Sequence, residues 1–133
     1  MATSTPQPKS VSILIFLKKR EDLTHEEFYR YWLDTHVHLY LAIPQVKATT
    51  LSIHQYRQHA SLTEAFKGYP TLEWDGVTEL EHASYDDFVA ITRLPEWDEI
   101  VMPDLETFAD MSKCQFMIGE QRTSFRQEGH DRR

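Results

Sequence analysis

The stretch SVSILIFLKKREDLTHEEFYRYWLDTH, residues 10–36, decides the fold. It opens with a run of β-branched and large apolar side chains that reads as a strand, closed by Lys18, Lys19 and Arg20 as a solvated strand end. A short connection follows, and then helix chemistry begins. Thr24 stands as N-cap with Glu27 three residues on, the pattern of a capping box. Glu26 and Glu27 place negative charge in the first turn, where the helix dipole favours it. Phe28, Trp32 and His36 recur at i, i+4 and i+8, which is one helical face. The spacing predicts a helix over 24–36 whose apolar stripe ends in a histidine.

Working outward, Pro44 breaks the chain, and VKATTLSIHQYRQ (46–58) is a long β-branched run that reads as a second strand. The segment 59–70 is a loop or a short helix. TLEWDGVTELEHA (71–83) alternates and holds Asp75 next to Gly76. That pair is either a hairpin turn or, the preferred reading, part of one strand with a bulge or close approach at Gly76. Residues 84–94 start with Ser84 as a cap and stop at Pro95, so they read as a helix. DLETFADM (104–111) is helical, and residues 113–125 form the last strand. The order is β-α-β-β-α-β with a helical insertion before the last strand, a ferredoxin-like α+β domain over 11–125. Helices would lie on one face of an antiparallel sheet, and the other face needs a cover. In so short a chain the natural cover is a second copy, hence a homodimer. Residues 1–10 read as a disordered leader and 126–133 as a flexible tail.

A length of 133 residues suits one domain, and 41% hydrophobic with 12% aromatic residues is too apolar for a disordered chain. A net charge of −7 repels phosphate backbones, so no nucleic-acid partner is expected. The single cysteine, Cys114, allows no intrachain disulfide and fits a reducing, cytoplasmic setting, where it reads as a buried inert thiol. No apolar run reaches the ~18 residues that a membrane span needs.

Three blocks carry a resemblance: FLKKREDLTHEEFYRYWLDTHVHL (16–39), WDGVTELEHASYDDF (74–88) and SKCQFMIGEQ (112–121). In this order they resemble EthD-like members of the dimeric α+β barrel superfamily, in particular small fungal polyketide-pathway proteins. The resemblance implies a cofactor-free enzyme of secondary metabolite biosynthesis. Its substrate would be an aromatic polyketide, its pocket would lie between sheet and helices, and two sheets would pack into a barrel. Characterised relatives include polyketide cyclases and decarboxylases of aromatic carboxylic acids, so the family constrains fold better than reaction.

The residues themselves supply candidates. There is no phosphate loop, no G-x-S-x-G elbow and no H-E-x-x-H. His36 shares its face with Phe28 and Trp32, at the edge of an apolar cavity where burial and a nearby carboxylate would tune it for proton transfer. The bland alternative is a histidine on the helix dipole. His38 falls out of helical phase with His36, and no further ligand completes a metal site, so no metal is expected. His54 shares a strand face with Thr50, Ser52 and Tyr56, and Leu51, Ile53 and Arg57 share the other. The polar stripe lines a pocket or lies on the solvated or dimer-facing side. His36 and His54 are the catalytic candidates, and Trp32, Phe28, Tyr56, Trp74 and His82 the substrate-binding ones. The chemistry expected is decarboxylation of an aromatic polyketide carboxylic acid: an enolate forms, His54 or Tyr56 holds its oxygen, and His36 returns a proton to carbon. A cyclase or dehydratase using the same histidines is the alternative, and a non-catalytic binding or stress module a further one.

Overall fold

The structure is a computed structural model, described here for residues 10–129. His130 and nearly all of the expected leader lie outside that range. Strand β1 (Val11–Leu17) is followed by the capped helix α1 (His25–Tyr31), with both reciprocal hydrogen bonds of the Thr24–Glu27 capping box formed. The helix does not stop at His36. It passes through a π-helical turn, Trp32–His36, into α2 (Val37–Leu41). A short helix α3 (Pro44–Thr49) precedes β2 (Thr50–Arg57), and α4 (Ala60–Ala65) follows it. Then come β3 (Gly76–His82), α5 (Tyr85–Thr92), a second π turn (Trp97–Val101), α6 (Met102–Phe108) and β4 (Gln115–Gly119). The four strands form one antiparallel sheet in the order β2-β3-β1-β4. This is the expected ferredoxin-like α+β arrangement.

Several boundaries differ from expectation. The second strand begins at Thr50, because residues 44–49 are helical. Pro44 sits in the first turn, where its fixed φ and missing N–H are tolerated, and the helical turn buries Val46 completely. The third strand starts at Gly76 rather than at residue 71, since Asp75 is already engaged as an anchor. Its backbone N–H donates to the Leu17 carbonyl, and its carboxylate accepts from the Lys19 N–H at 2.8 Å and from His25 Nε2 at 3.0 Å. Gly76 is a close approach and not a hairpin turn: a Cβ there would lie 2.6 Å from the Trp32 ring. The last strand ends at Gly119, opposite Ser12 near the start of β1.

Alternation sorts the sheet into two faces. Ile13, Ile15, Leu17, Thr78, Leu80 and His82 point towards the helices and are buried with Phe28, Trp32, Val46, Ile91 and Phe108. The opposite face carries Ser12, Leu14, Phe16, Ser52, His54, Tyr56, Glu79, Glu81 and Met117 in register across the four strands. No element of the described chain covers this second face. Tyr56 is 47% and Met117 53% exposed.

Candidate active site

The helix-facing side of the sheet holds a cavity of about 40 Å³. Trp32, His36 and Tyr40 line it from the helix, Thr78 and Leu80 from β3, and Phe116 from β4. Phe116 is also 46% exposed, so the cavity reaches the surface beside the edge strand.

One helix delivers three of these side chains because of its π turn. In an uninterrupted α-helix each four-residue step overshoots a full turn by roughly 40°, so Tyr40 would have drifted roughly 120° from Phe28. An i→i+5 turn takes in one extra residue and returns roughly 100° of that drift. Phe28, Trp32, His36 and Tyr40 therefore remain on one line. Phe28 lies behind Trp32, with ring centroids 5.7 Å apart, and is core rather than cavity wall. Trp32 Nε1 donates to Thr78 Oγ1 at 3.3 Å.

His36 is held by a residue far away in sequence. Its Nδ1 lies 2.6 Å from Asp104 Oδ2, and the two side chains are only 13% and 10% exposed. Tyr31 donates its hydroxyl to Asp104 Oδ1. An ionised carboxylate only accepts, so Nδ1 carries the proton and Nε2 keeps its lone pair. The Phe108 ring, 5.0 Å from His36 and 5.2 Å from Tyr31, backs the three polar groups. Asp104 stands in the first turn of α6, after the second π turn. Pro103 has no N–H to offer the turn before it, and a locally widened helix accommodates such a residue. Burial draws His36 below its ordinary pKa, and the hydrogen bond and charge of Asp104 oppose that pull. Burial thus favours the neutral imidazole and the carboxylate the imidazolium, a balance that suits a group taking up and returning a proton.

The remaining candidates stand elsewhere. His54 and Tyr56 lie on the opposite sheet face, where His54 pairs with Glu79 across the strands and the Tyr56 hydroxyl donates to Glu79 Oε1 at 2.9 Å. It is Ile53 and Gln55 of β2 that line the cavity. Thr50 is not on the His54 face, because a bulge between Thr50 and Ser52 reverses it. His82 is fully buried on the helix side, donates Nδ1–H to the Thr49 carbonyl at 3.0 Å and packs on Phe88, outside the cavity lining. Trp74 donates to the Lys113 carbonyl at 2.8 Å and packs on Phe16, again outside it. Of the predicted site residues, His36 and Trp32 meet at the cavity. Asp104, Tyr31 and Tyr40 join them there or behind them without having been assigned a role from sequence. Tyr40 continued the four-residue stripe and was legible. Asp104 is 68 positions from His36, and nothing local marks it.

The EthD domain family model matches residues 20–112. No curated protein matches the chain. Among solved structures, an EthD family protein from Bacillus halodurans is 19% identical over 85% of this chain and 99% of its own, with a TM-score of 0.61. A dimeric protein of unknown function and ferredoxin-like fold from Bacteroides fragilis is 16% identical, covering 87% of this chain and 100% of its own at a TM-score of 0.58. SnoaB, a cofactor-independent oxygenase from Streptomyces nogalater, is 9% identical over 87% of this chain and 96% of its own, also at 0.58. At these identities the likeness is one of fold.

Proposed function

The chain belongs to the EthD domain family, and from that premise we propose that it is a cofactor-free lyase that decarboxylates an aromatic polyketide carboxylic acid in secondary metabolism. The observation that carries this reading is a carboxylate-oriented histidine, His36 on Asp104, at the wall of a mainly apolar cavity. The substrate enters as a β-keto acid, and its acidic proton passes to His36 Nε2. Asp104 stabilises the resulting imidazolium. The bond to the carboxyl carbon then breaks, and its electron pair moves onto the neighbouring oxygen as an enolate. His36 returns the proton to carbon, CO₂ leaves, and the imidazole is neutral again. The apolar wall favours loss of a localised carboxylate charge over its retention. A fold shared with a cofactor-independent oxygenase supports chemistry carried by side chains alone.

The resting cavity has room for a few water molecules and not for a ring system. Entry of an aromatic acid therefore involves displacement of Phe116, the exposed lining residue on the edge strand. The chain acts as a cytoplasmic homodimer, its uncovered sheet face meeting that of a second copy. No helix of the described residues is long and apolar enough to cross a membrane.

A test offers the protein an aromatic β-keto acid in D₂O. The expected result is CO₂ release with one deuteron placed on carbon, lost by at least about 10²-fold in His36→Ala. Undiminished CO₂ release by a folded His36→Ala protein overturns the proposal. The second reading, a cyclase or dehydratase, is favoured by the pairing of His36 Nδ1 with Asp104, which leaves Nε2 to abstract an α-proton. A cyclised or dehydrated product without CO₂ selects it.

A further inference from the structure

The Tyr40 hydroxyl is buried and has no hydrogen-bond partner among the described residues. The residue is 6% exposed and lines the same cavity as His36. Buried hydroxyls without partners are rare, because desolvation removes their water and returns nothing. The cavity is walled mainly by Ile15, Leu17, Leu80, Val101 and Leu105, and none of its polar lining residues, His36, Gln55 and Thr78, bonds the Tyr40 hydroxyl. The π turn places Tyr40 one helical turn beyond His36 on the same stripe, about 6 Å apart at their Cβ atoms. An enolate presents its oxygen and its basic carbon two bonds apart, a span that two groups so spaced can bracket.

We infer that Tyr40 is the oxygen-binding donor of this site, holding a ketone or enolate oxygen of a flat aromatic ligand while His36 faces the neighbouring carbon. This rests on reading the cavity as the substrate site. It also gives the role first expected of His54 and Tyr56 to a residue of α2, on the helix-covered side of the sheet. Burial pushes the Tyr40 phenol far above its ordinary pKa, so it remains a donor at any working pH. Preorganised donation to a developing oxyanion in a dry site is worth more than the same bond in water. The ligand class follows: a ring system bearing a carbonyl or phenolic oxygen, in preference to the bare hydrocarbon of the same shape.

The experiment uses α-tetralone and tetralin, flat bicycles that differ by one carbonyl oxygen. Both are titrated against the full-length protein and against Tyr40→Phe. The ratio of tetralone to tetralin affinity is expected to fall about tenfold in Tyr40→Phe. The melting temperature should be unchanged or raised, since the hydroxyl has no partner to lose. An unchanged ratio, failure of the wild-type protein to bind tetralone, or a lowered melting temperature each overturns the inference. If the ratio is unchanged while His36→Ala still abolishes CO₂ release, the oxygen donor lies elsewhere and the lyase reading stands. If the ratio falls but wild-type protein turns over no acid, Tyr40 binds as inferred and the lyase reading fails.

Discussion

At the scale of single residues, the site depends on Asp104 more than on any second histidine. Replacing it by Asn keeps the shape and removes the charge that favours imidazolium. Decarboxylation by Asp104→Asn should drop about 10²-fold, from lost orientation and lost stabilisation together. The pH profile gives the sign. The proton that reaches carbon is carried by His36 as imidazolium, so activity falls as pH increases through its pKa. Burial has already moved that pKa below the ordinary 6.5 against the upward pull of Asp104. Without the aspartate this falling limb moves lower still, and a limb that moves up or stays in place counts against the dyad. Sequence alone exposed half of this site. A stripe of four-residue spacing brings Trp32, His36 and Tyr40 together by local geometry. The partner that tunes the histidine arrives through tertiary packing, which no spacing rule reaches. His54 and Tyr56 were grouped correctly on one strand face, but alternation states only that two faces exist. Which of them meets the helices is settled by neighbours such as Leu80 and Ile15.

At the scale of elements, the π turn Trp32–His36 carries one residue more than the stripe requires. Asp34 is exposed and stands on its outer side. Deleting it converts the turn to plain α-helix and leaves Phe28, Trp32, His36 and Tyr40 within roughly 40° of one line. That variant should fold, and its His36-dependent turnover should stay within about tenfold of wild type, as steady-state kinetics would measure. An alanine inserted after Asp34 rotates Tyr40 away by roughly 100° and should abolish turnover. Equal damage from both changes would refute the phase argument. Capping boxes and caps made the helix starts legible, since Thr24 and Ser84 act through bonds to residues three positions on. The start of β2 was not legible. Val46, Thr49 and Thr50 share a strand-like composition, yet Pro44 and the burial of Val46 pull the first two into a helical turn, and tertiary context overrides so weak a propensity.

At the scale of the whole molecule, the uncovered sheet face is prepared for a partner. On β3, Glu81 accepts from Ser10 and Ser52, and Glu79 accepts from Ser12 and Tyr56. Both carboxylates thus accept hydrogen bonds from within the chain, which lowers the cost of covering them. Leu14, Phe16 and Met117 supply apolar area on the β1 and β4 half. Light scattering should give twice 15.7 kDa for the wild-type chain. Met117→Glu, doubled by the two-fold symmetry of such a contact, should shift it to one. A variant that stays dimeric would place the interface elsewhere.

Cys114 adjoins this edge of the sheet, directly before β4 and two positions from Phe116. Its sulfur accepts from the Lys18 N–H at 3.4 Å and its S–H donates to the Asp110 carbonyl at 3.2 Å, and burial holds the thiol above its ordinary pKa. The residue itself is only half-buried, so its raised pKa slows the thiol without hiding it. The one sulfhydryl in the chain thus stands beside the edge strand as a native reporter: its rate of reaction with a thiol reagent should change when a ligand displaces Phe116.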